Sequence, residues 1–269
     1  MPFTSTTNIK MYYELKGAGE RVLFISGTGG DLRVKPNVLD GPLAGANQVL
    51  AFDQRGLGQT EKPELSYTME DYADDAAALM DELGWPSAHV IGVSFGGMVA
   101  LNLALRHPAK INKLVLCCTS PGGPAMASFP LHELPDNLSD SDRIRKMLAV
   151  NDVRQTEEWQ QQHATRVDKM IKVSLEMRPA DHQTPAFKAG AKRQLEARSH
   201  HDVVDHLPGI QKPTLICAGK YDGMAPPENQ ESMRDMIPGA ELAWFEGGHL
   251  FLIQDKNAWP KITSFLNHE

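Results

Sequence analysis

One pentapeptide, G-V-S-F-G at residues 92–96, constrains what this chain can fold into more than any other stretch. A short strand-like run at 89–91 leads into it, and apolar residues recur at helical spacing after Gly97, as far as Leu105. A buried strand, a glycine-flanked serine and an amphipathic helix in succession predict a sharp, strained strand-to-helix turn. Glycine is expected on each side because a side chain there would collide with neighbouring backbone. The turn would expose the Ser94 hydroxyl beside the positive end of the helix dipole.

Strand-like and helix-like patterns alternate through both ends of the chain. Alternation of apolar and polar residues predicts a half-buried edge strand near the N-terminus, and uninterrupted apolar runs predict strands buried on both faces. Alternating strands and helices imply an α/β fold, a parallel sheet with helices on both faces. The predicted strands span 8–15, 22–25, 48–52, 89–91, 111–118, 213–218 and 241–245, and the predicted helices span about 36–44, 69–83, 98–105, 227–236 and 256–266.

The alternation stops in the middle of the chain. No strand-like run appears there, and the segment instead carries helical patterns. A helical insertion into an α/β sheet predicts a cap over a site at the strand ends. The predicted helices span about 141–150, 155–177 and 184–206. We therefore expect a core built from residues 1–120 and 209–269, and a helical cap at 121–208.

Two residues later in the chain could act together with Ser94. Asp222 follows the predicted strand at 213–218, and His249 follows the strand at 241–245. Each has a plainer explanation alone: Asp222 as a turn aspartate that bonds its own backbone, His249 as a loop histidine, and the pentapeptide as a glycine-rich connection. In the order nucleophile, acid, histidine, and all at carboxyl ends of strands, the three predict a catalytic set.

The loop at 26–30, S-G-T-G-G, is expected to bring backbone N–H groups close to a ligand. It lacks the Gly-Lys-Ser/Thr of a phosphate loop and the spacing of a dinucleotide site, although Asp53 stands about where a ribose-binding acid would. A backbone donor for an oxyanion is the better interpretation. Asp53 and Arg55 could be catalytic, but a charged pair in a turn after a strand is expected to fix the loop by hydrogen bonds.

The composition indicates an ordinary soluble globular protein. The 269 residues are 41% hydrophobic and 23% charged, enough to bury a full core. A formal net charge of -7, without a Lys/Arg run, argues against nucleic acid and anionic membranes as partners. We expect a cytoplasmic protein, since neither a membrane-length apolar run nor a signal-like N-terminus is evident. The sequence does not indicate an oligomeric state.

No metal site is predicted. The histidines His200 and His201, beside Asp202, have no third partner at ligand spacing and are expected to form a solvated helix start. The three cysteines also lack metal-ligand spacing and are expected as small apolar core residues. They are Cys117, Cys118 and Cys217.

With these residues in place, the sequence resembles the α/β-hydrolase fold superfamily over essentially its whole length, and most resembles the branch of 3-oxoadipate enol-lactonases and carboxylesterases. The resemblance implies an eight-stranded, mainly parallel sheet with a helical cap, and hydrolysis of esters, lactones or related carbonyl compounds. It departs at Ser26, where the family usually has histidine. The motifs that carry it are S-G-T-G-G at 26–30, D-Q-R-G-L-G at 53–58, G-V-S-F-G-G at 92–97, P-T-L-I-C-A-G-K-Y-D at 213–222 and G-G-H at 247–249.

The chemistry assigns a role to each candidate. A serine hydroxyl is a poor nucleophile near neutral pH, so His249 is expected to take the proton of Ser94 as general base. Asp222 would hold the imidazole in the right tautomer and stabilise the imidazolium. The backbone N–H groups of Thr28 and Phe95 are the predicted oxyanion hole. This chemistry requires no metal or organic cofactor.

The expected reaction is hydrolysis of a small to medium, mainly apolar ester or lactone through an acyl-serine intermediate. Carbon–carbon hydrolysis of a β-diketone and cofactor-free perhydrolysis would use the same residues, and a ligand-binding receptor with little turnover is an alternative of another class. Haloalkane dehalogenation is disfavoured because it needs a carboxylate in place of Ser94. Apolar residues motivate the substrate class, although such residues are more often core. They are Met98, Trp159, Met170, Met224 and Phe251.

Overall fold

An eight-stranded sheet forms the centre of the molecule. The computed structural model describes residues 2–6, 9–135 and 137–267. The strands are β1 (Phe3–Ser5), β2 (Lys10–Lys16), β3 (Arg21–Ile25), β4 (Gln48–Phe52), β5 (Ala88–Val93), β6 (Ile111–Cys117), β7 (Thr214–Gly219) and β8 (Glu241–Phe245). Their order in the sheet is β1-β2-β4-β3-β5-β6-β7-β8. Strand β2 pairs antiparallel with β1 and β4, and the other neighbours pair parallel. The predicted mainly parallel, eight-stranded sheet is confirmed.

Helices connect the parallel strands. They are α1 (Leu43–Ala46), α2 (Met69–Glu82), α3 (Phe95–Arg106), α4 (Gly123–Met126), α5 (Asp140–Asn151), α6 (Glu157–Gln162), α7 (Ala164–Glu176), α8 (Pro185–Ser199), α9 (Pro227–Met236), α10 (Phe251–Gln254) and α11 (Ala258–Asn267). In the part of the chain that the structure describes, no helix has both the length and the apolar character needed to cross a bilayer.

The N-terminal elements differ from the predicted ones. Strand β1 has no predicted counterpart, and the predicted strand at 8–15 lies slightly later as β2, with Asn8 outside the described residues. In place of a helix at 36–44 there are a 3-10 turn at Val38–Asp40 and the single turn α1. The extended backbone at Gly41 separates these two turns, so they cannot form one continuous helix.

Two of the three helices predicted within 121–208 are divided or shorter in the structure. The segment at 155–177 is two helices, α6 and α7, because the backbone at His163 (φ -116°, ψ 31°) leaves the helical conformation. In the segment predicted as one helix at 184–206, α8 ends at Ser199, and a separate 3-10 turn follows at Val204–Gly209. His200 therefore follows the end of a helix, and the predicted helix start at this position is wrong.

Alternate side chains of each strand pack on opposite faces of the sheet. In β6, Leu114 and Leu116 join a core with α2, α3 and α9, whereas Val115 and Cys117 join a second core with α1, α10 and α11. Helices therefore cover both faces, as predicted. All three cysteines are buried in the second core.

Buried charges fix the turn after β4. Asp53 accepts hydrogen bonds from the backbone N–H groups of Leu32 and Gln59 at 2.7 and 2.8 Å. Arg55 donates two hydrogen bonds to Asp75 of α2, at 2.7 and 2.8 Å. Burial raises the pKa of the Asp53 carboxyl to about 6. Asp53 and Arg55 thus hold a loop to a helix, the structural role that the sequence predicts.

Helices α4 to α8 and their connections lie between β6 and β7, and the segment at 121–208 is called the cap below. Within it, α5 and α7 share a small apolar core that includes Leu148 and Val167. The two ends of the cap meet at its base, where the Val203 N–H donates to the Pro121 carbonyl at 2.9 Å. The Gly123 N–H donates to the carbonyl of His201 at 3.1 Å beside it.

Candidate active site

Ser94 occupies the strained turn between β5 and α3. Its backbone angles, φ 54° and ψ -118°, are rare for residues other than glycine. A side chain at Gly92 would clash with the Gly96 carbonyl, and a side chain at Gly96 would clash with the carbonyl of Ile25. The Ser94 N–H donates to the Cys117 carbonyl of β6 at 2.8 Å. The flanking glycines therefore allow the sharp turn that the pentapeptide predicts.

A continuous chain of hydrogen bonds links the three candidate residues. The Nε2 atom of His249 lies 2.9 Å from Ser94 Oγ, and its Nδ1 atom lies 2.9 Å from Asp222 Oδ2. Because an ionised carboxylate can only accept, Nδ1 carries the proton, and Nε2 is left to accept from the serine hydroxyl. The other Asp222 oxygen accepts from the N–H groups of Met224 and Ala225 at 2.8 and 2.9 Å. The acid is thus held rigidly, with only 2% of its side chain exposed.

Glycines bring the histidine loop against the rest of the site. A side chain at Gly219 would clash with the Gly248 carbonyl, and one at Gly248 would clash with the Asn151 carbonyl of α5. The His249 N–H donates to that same Asn151 carbonyl at 2.6 Å. The cap therefore contributes to the placement of the histidine, a contact that sequence spacing does not reveal.

Two backbone N–H groups at the site lack an acceptor. Within the described residues, the N–H groups of Thr28 and Phe95 make no hydrogen bond, whereas those of Gly29 and Gly30 do. Phe95 opens α3, where the first N–H groups have no partner within the helix. Gly27 packs against Ser94, since a Cβ atom at this glycine would lie 3.4 Å from the serine Cβ. Both unpaired N–H groups thus belong to residues close to the serine: Phe95 follows Ser94 in sequence, and Thr28 follows the packed Gly27.

Two glutamines that the sequence analysis misses hold the glycine loop in place. Gln54 Nε2 donates to the Ser26 carbonyl at 2.8 Å. Gln194 of α8 accepts a hydrogen bond from the Gly29 N–H at 2.9 Å, and its side chain is fully buried. Side-chain amides therefore hold this loop in place. Ser26, within the loop, stands where the family usually has histidine. No local pattern marks either glutamine, because each acts across a large sequence separation.

The structure separates the predicted substrate residues. Met98 and Met224 lie near the site: Met98 is one helical turn after Ser94, and the Met224 backbone bonds Asp222. Trp159 and Met170 instead pack against the small core inside the cap. Phe251 is fully buried and stacks on Phe245, with ring centroids 5.0 Å apart, in the second core. The structure therefore does not bring Trp159, Met170 or Phe251 to the serine; they act as packing residues. Their apolar character alone could not distinguish these two roles.

A thiol lies beside the acid and the histidine. The ligand atoms of Cys118, Asp222 and His249 are all within 4.8 Å of one another. Burial and the nearby Asp222 charge raise the pKa of the Cys118 thiol, which disfavours the thiolate that a metal ion would need. Both ring nitrogens of His249 are already engaged by Ser94 and Asp222. These residues fit a hydrogen-bonded chain better than a metal centre.

His201 is a buried link between the cap and the core. Its Nε2 atom lies 3.2 Å from the Ser120 carbonyl, and its Nδ1 atom lies 3.4 Å from Asn102 Nδ2 of α3. Burial lowers the pKa of His201 to about 4, so the ring is neutral at physiological pH. His201 is therefore buried, and its predicted place at a solvated helix start is wrong.

A cleft of about 1150 Å³ opens between the cap and the glycine loop. Thr28 and Gly29 form one wall, and apolar side chains such as Phe187 and Leu195 form another. The cleft also carries more cationic than anionic side chains, which the sequence analysis does not anticipate. The lysines and arginines are Arg143, Arg178, Lys188 and Lys192, and the acids are Asp140 and Glu196.

The site geometry and the fold agree with the comparisons to known proteins. Residues 20–256 match the family model of the alpha/beta hydrolase fold. The chain belongs to the α/β-hydrolase fold family. This α/β hydrolase is 32% identical over 233 residues to the poly(3-hydroxyalkanoate) depolymerase of Ectopseudomonas oleovorans, covering 82% of this chain and 76% of that protein.

Other relatives of this α/β hydrolase carry different names. It is 27% identical over 244 residues to the 2-hydroxymuconate semialdehyde hydrolase of Pseudomonas sp. (strain CF600), covering 87% of this chain and 81% of that protein. The crystal structure of the enol-lactonase from Burkholderia xenovorans LB400 superposes with a TM-score of 0.80 at 24% identity, over 99% of this chain and all of that one. The superposition supports the fold alone. The names of these relatives are those of a depolymerase, a semialdehyde hydrolase and an enol-lactonase, so they do not agree on one substrate.

Proposed function

We propose that the protein is a serine hydrolase that cleaves a carboxylic ester or lactone through an acyl-Ser94 intermediate. The observation that carries this proposal is the hydrogen-bond chain from Ser94 through His249 to Asp222, with 2.9 Å at each step. A nucleophile in contact with a base, and a base oriented by a buried acid, is the arrangement that acyl transfer needs.

In the first half-reaction, Ser94 Oγ attacks the ester carbonyl carbon while its proton passes to His249 Nε2. The carbonyl oxygen of the ester becomes an oxyanion, which the unpaired N–H groups of Thr28 and Phe95 bind. One such donor is typically worth about 3–4 kcal/mol to the transition state. The proton on His249 then moves to the leaving alkoxide oxygen, the carbon–oxygen bond breaks, and the acyl-serine remains.

In the second half-reaction, a water molecule replaces the leaving alcohol. His249 takes a proton from this water as the oxygen attacks the acyl carbon, and the same N–H groups bind the second oxyanion. Collapse of this intermediate returns the proton to Ser94 Oγ and releases the acid. Asp222 stays ionised throughout and stabilises each transient imidazolium. With a lactone, the alcohol and the acid leave as one hydroxy acid.

The walls of the cleft favour a small to medium substrate with an apolar body. Leucine side chains and the Phe187 ring line much of the cleft beside Thr28. Such surfaces bind acyl chains by removing apolar area from water. The leucines are Leu131, Leu134, Leu138 and Leu195.

Carbon–carbon bond hydrolysis is the second candidate function. The similarity to the 2-hydroxymuconate semialdehyde hydrolase over 87% of this chain favours it. The same three residues can serve this chemistry if the leaving group is a stabilised carbanion rather than an alkoxide. The nature of the bond must therefore be tested separately from the identity of the nucleophile.

The test combines covalent labelling with a substrate panel. A fluorophosphonate probe should label Ser94, as mapped by mass spectrometry, and the Ser94→Ala variant should take up no probe. 4-Nitrophenyl esters of graded acyl length, γ- and δ-lactones and a β-diketone would then be offered to the wild-type protein. We expect turnover of esters or lactones and none of the diketone.

Ser66→Ala is the matched control, because Ser66 is exposed and distant in sequence from the site. It should keep both labelling and turnover. Labelling at any residue other than Ser94, or undiminished ester turnover in Ser94→Ala, would disprove the mechanism. Turnover of the diketone in preference to every ester would replace the first candidate with the second.

A further inference from the structure

Arg198 of α8 is a buried cation without an anionic partner. Arg198 is only 6% exposed, and no carboxylate in the described part of the chain forms an ion pair with its guanidinium. Its Nη2 atom donates to Ser128 Oγ at 2.6 Å and to the Phe129 carbonyl at 2.9 Å, and lies 3.7 Å from Met224 Sδ. Neither Nε nor Nη1 has a hydrogen-bond partner within the described residues. Two donor atoms of a charged group are therefore left unused.

A second buried arginine shows how unusual this arrangement is. Arg55 is equally buried, but Asp75 accepts two of its hydrogen bonds, and the pKa of Arg55 is raised despite its burial. Burial instead lowers the pKa of Arg198 to about 10, which still leaves the guanidinium charged at neutral pH. A charge that loses its hydration and gains no counter-ion destabilises the folded protein. A ligand that supplied the anion would remove this penalty.

The position of Arg198 relates it to the candidate site. One helical turn earlier on α8, Gln194 bonds Gly29 in the loop after β3. Arg198 itself contacts Met224 in the loop after β7. Strand β5, which ends at Ser94, lies between β3 and β7 in the sheet. This face of α8 therefore crosses above the serine.

The buried amide of Gln194 has the same unused capacity. Its Oε1 atom accepts from the Gly29 N–H, so Nε2 is the other end of the amide, and Nε2 is buried without a partner. Spacing of four residues puts Gln194 and Arg198 on one face of α8. This face thus presents unpaired hydrogen-bond donors from two side chains.

Arg198 also lines a cavity of about 410 Å³ next to the site. Met98, which follows Ser94 by roughly 6 Å along α3, forms part of its wall. Two acids, Glu133 and Asp202, border the same cavity, but both are exposed and neither pairs with the guanidinium. The charge on Arg198 therefore remains available to a ligand.

The adjoining large cleft favours anions as well. Its four lysines and arginines outnumber its two acids, although the whole chain has a formal net charge of -7. A local excess of positive charge in a cleft raises the local concentration of anionic ligands and speeds their association.

We propose that Arg198 binds a carboxylate group of the substrate, so that the preferred substrate is an ester or lactone that bears a carboxylate at the end of a short apolar chain. The planar guanidinium offers Nε and Nη1 to this carboxylate, and Gln194 Nε2 supplies a neighbouring donor. This inference rests on the proposed serine hydrolase function and narrows its substrate class.

The kinetic test compares two esters that differ only in the group at the end of the acyl chain, which is charged in one and apolar in the other. 4-Nitrophenyl hemiglutarate carries the terminal carboxylate, and 4-nitrophenyl 5-methylhexanoate replaces it with an isopropyl group of similar shape. We expect the wild-type kcat/KM to favour the hemiglutarate. In Arg198→Met, the ratio of the two kcat/KM values should fall by about 10- to 100-fold, the usual effect of a charge-assisted hydrogen bond. In Arg198→Lys, which keeps the charge but loses the planar fork, the fall should be smaller.

Arg193→Met is the matched control, because it removes an arginine from the same helix that contacts Tyr67 and lies outside the cavity. It should leave the ratio at its wild-type value. If Arg198 only braces Ser128 and Phe129, both esters will lose activity equally in Arg198→Met and the ratio will not change. That result, or a wild-type preference for the uncharged ester, would overturn the proposal.

A binding measurement separates this proposal from the catalytic one. Calorimetry would titrate glutarate and the uncharged diol 1,5-pentanediol into Ser94→Ala protein, with and without Arg198→Lys. Glutarate should bind, the diol should not, and the lysine variant should bind glutarate more weakly. This result needs no turnover, so it stands even if Ser94 is not the nucleophile. Absence of glutarate binding in a protein that hydrolyses neutral esters would refute the carboxylate site and leave the hydrolase intact.

Discussion

Gln194 in the cap accepts a hydrogen bond from the backbone N–H of Gly29 in the loop that follows β3, at 2.9 Å. The bond joins the cap to the loop that is proposed to bind the oxyanion. Thr28, the proposed donor, is the preceding residue. The position of α8 and the geometry of the oxyanion hole are therefore coupled.

Replacing Gln194 by methionine should lower kcat by about tenfold while changing KM much less. The substitution keeps the side-chain length but removes the acceptor, so the Thr28 N–H is held less firmly in the position that matters in the transition state. Steady-state kinetics with a 4-nitrophenyl ester would measure both constants. The exposed Gln161 gives the control, Gln161→Met, which should behave as wild type. A rise in KM with normal kcat would show that Gln194 acts on binding alone.

Asp222→Asn should lower kcat by about four orders of magnitude and leave the fold intact. The amide cannot stabilise the imidazolium, and it favours the wrong tautomer of His249. Pre-steady-state and steady-state rates would be compared with those of Asp235→Asn, which changes an exposed aspartate on α9. A near-normal rate in Asp222→Asn would mean that the acid lies elsewhere.

Stability at low pH should depend on Asp31, which joins the core to the cap. Burial alone would raise the pKa of its carboxyl, but hydrogen bonds from Arg33 and His182 outweigh burial and lower the pKa to about 2, from an ordinary value of 3.8. Because the folded-state pKa is depressed, the stabilisation is fully present above pH 3.8 and is lost as the pH falls towards 2.

The corresponding measurement is the Tm of wild type and of Asp31→Asn as a function of pH. Wild type should melt at higher temperature at about pH 5 to 7, and the difference should shrink as the pH falls through about 4 to 2. Asp235→Asn should show no such convergence. A difference that stays constant over this range would mean that the ionised carboxylate contributes nothing.

Removing one partner of the buried Arg55–Asp75 pair should be more harmful than removing both. Arg55→Met leaves the Asp75 carboxylate buried without its counter-ion and should cost about 3–5 kcal/mol of unfolding free energy. The double variant Arg55→Met, Asp75→Leu should recover most of that loss, since no charge remains buried. Urea unfolding of the two single variants and the double variant measures the coupling. Additive losses would show that the two side chains do not interact.

The strained turn at Ser94 could be predicted from the sequence because its glycine pattern lies within five residues. A side chain at Gly92 would clash with Gly96 inside the same pentapeptide, whereas Gly96 is required by Ile25 of β3. The glycine pattern can therefore be recognised locally, although part of its cause is not local. Asp222 and His249 could be found for a related reason: each follows a recognisable buried strand, and parallel strands end at one edge. The sheet itself was predictable from the same runs.

The residues of the cap could not be predicted, because their roles depend on which way each helix faces. Trp159 and Arg198 both lie on helices between β6 and β7, but Trp159 packs inside the cap whereas Arg198 faces the site. Hydrophobic periodicity identifies a buried face and does not say what covers it. The break at His163 and the contact between Gln194 and Gly29 likewise depend on tertiary packing, which outweighs local propensity.

The bond between Val203 and Pro121 closes the base of the cap, so the chain leaves the sheet and returns to it at nearly the same point. In the topology of the sheet, the whole cap is one long connection between the adjacent strands β6 and β7, with its two ends hydrogen-bonded to each other. The free-energy cost of bringing the two ends of a loop together increases only with the logarithm of the loop length, so a longer loop costs little more. Insertions and deletions that spare Asn151 and Gln194 can therefore reshape the substrate cavity while β6, β7 and the serine turn stay where they are. Most of the cap can thus change with the substrate, apart from the few residues, such as Asn151 and Gln194, that hold the histidine and the glycine loop.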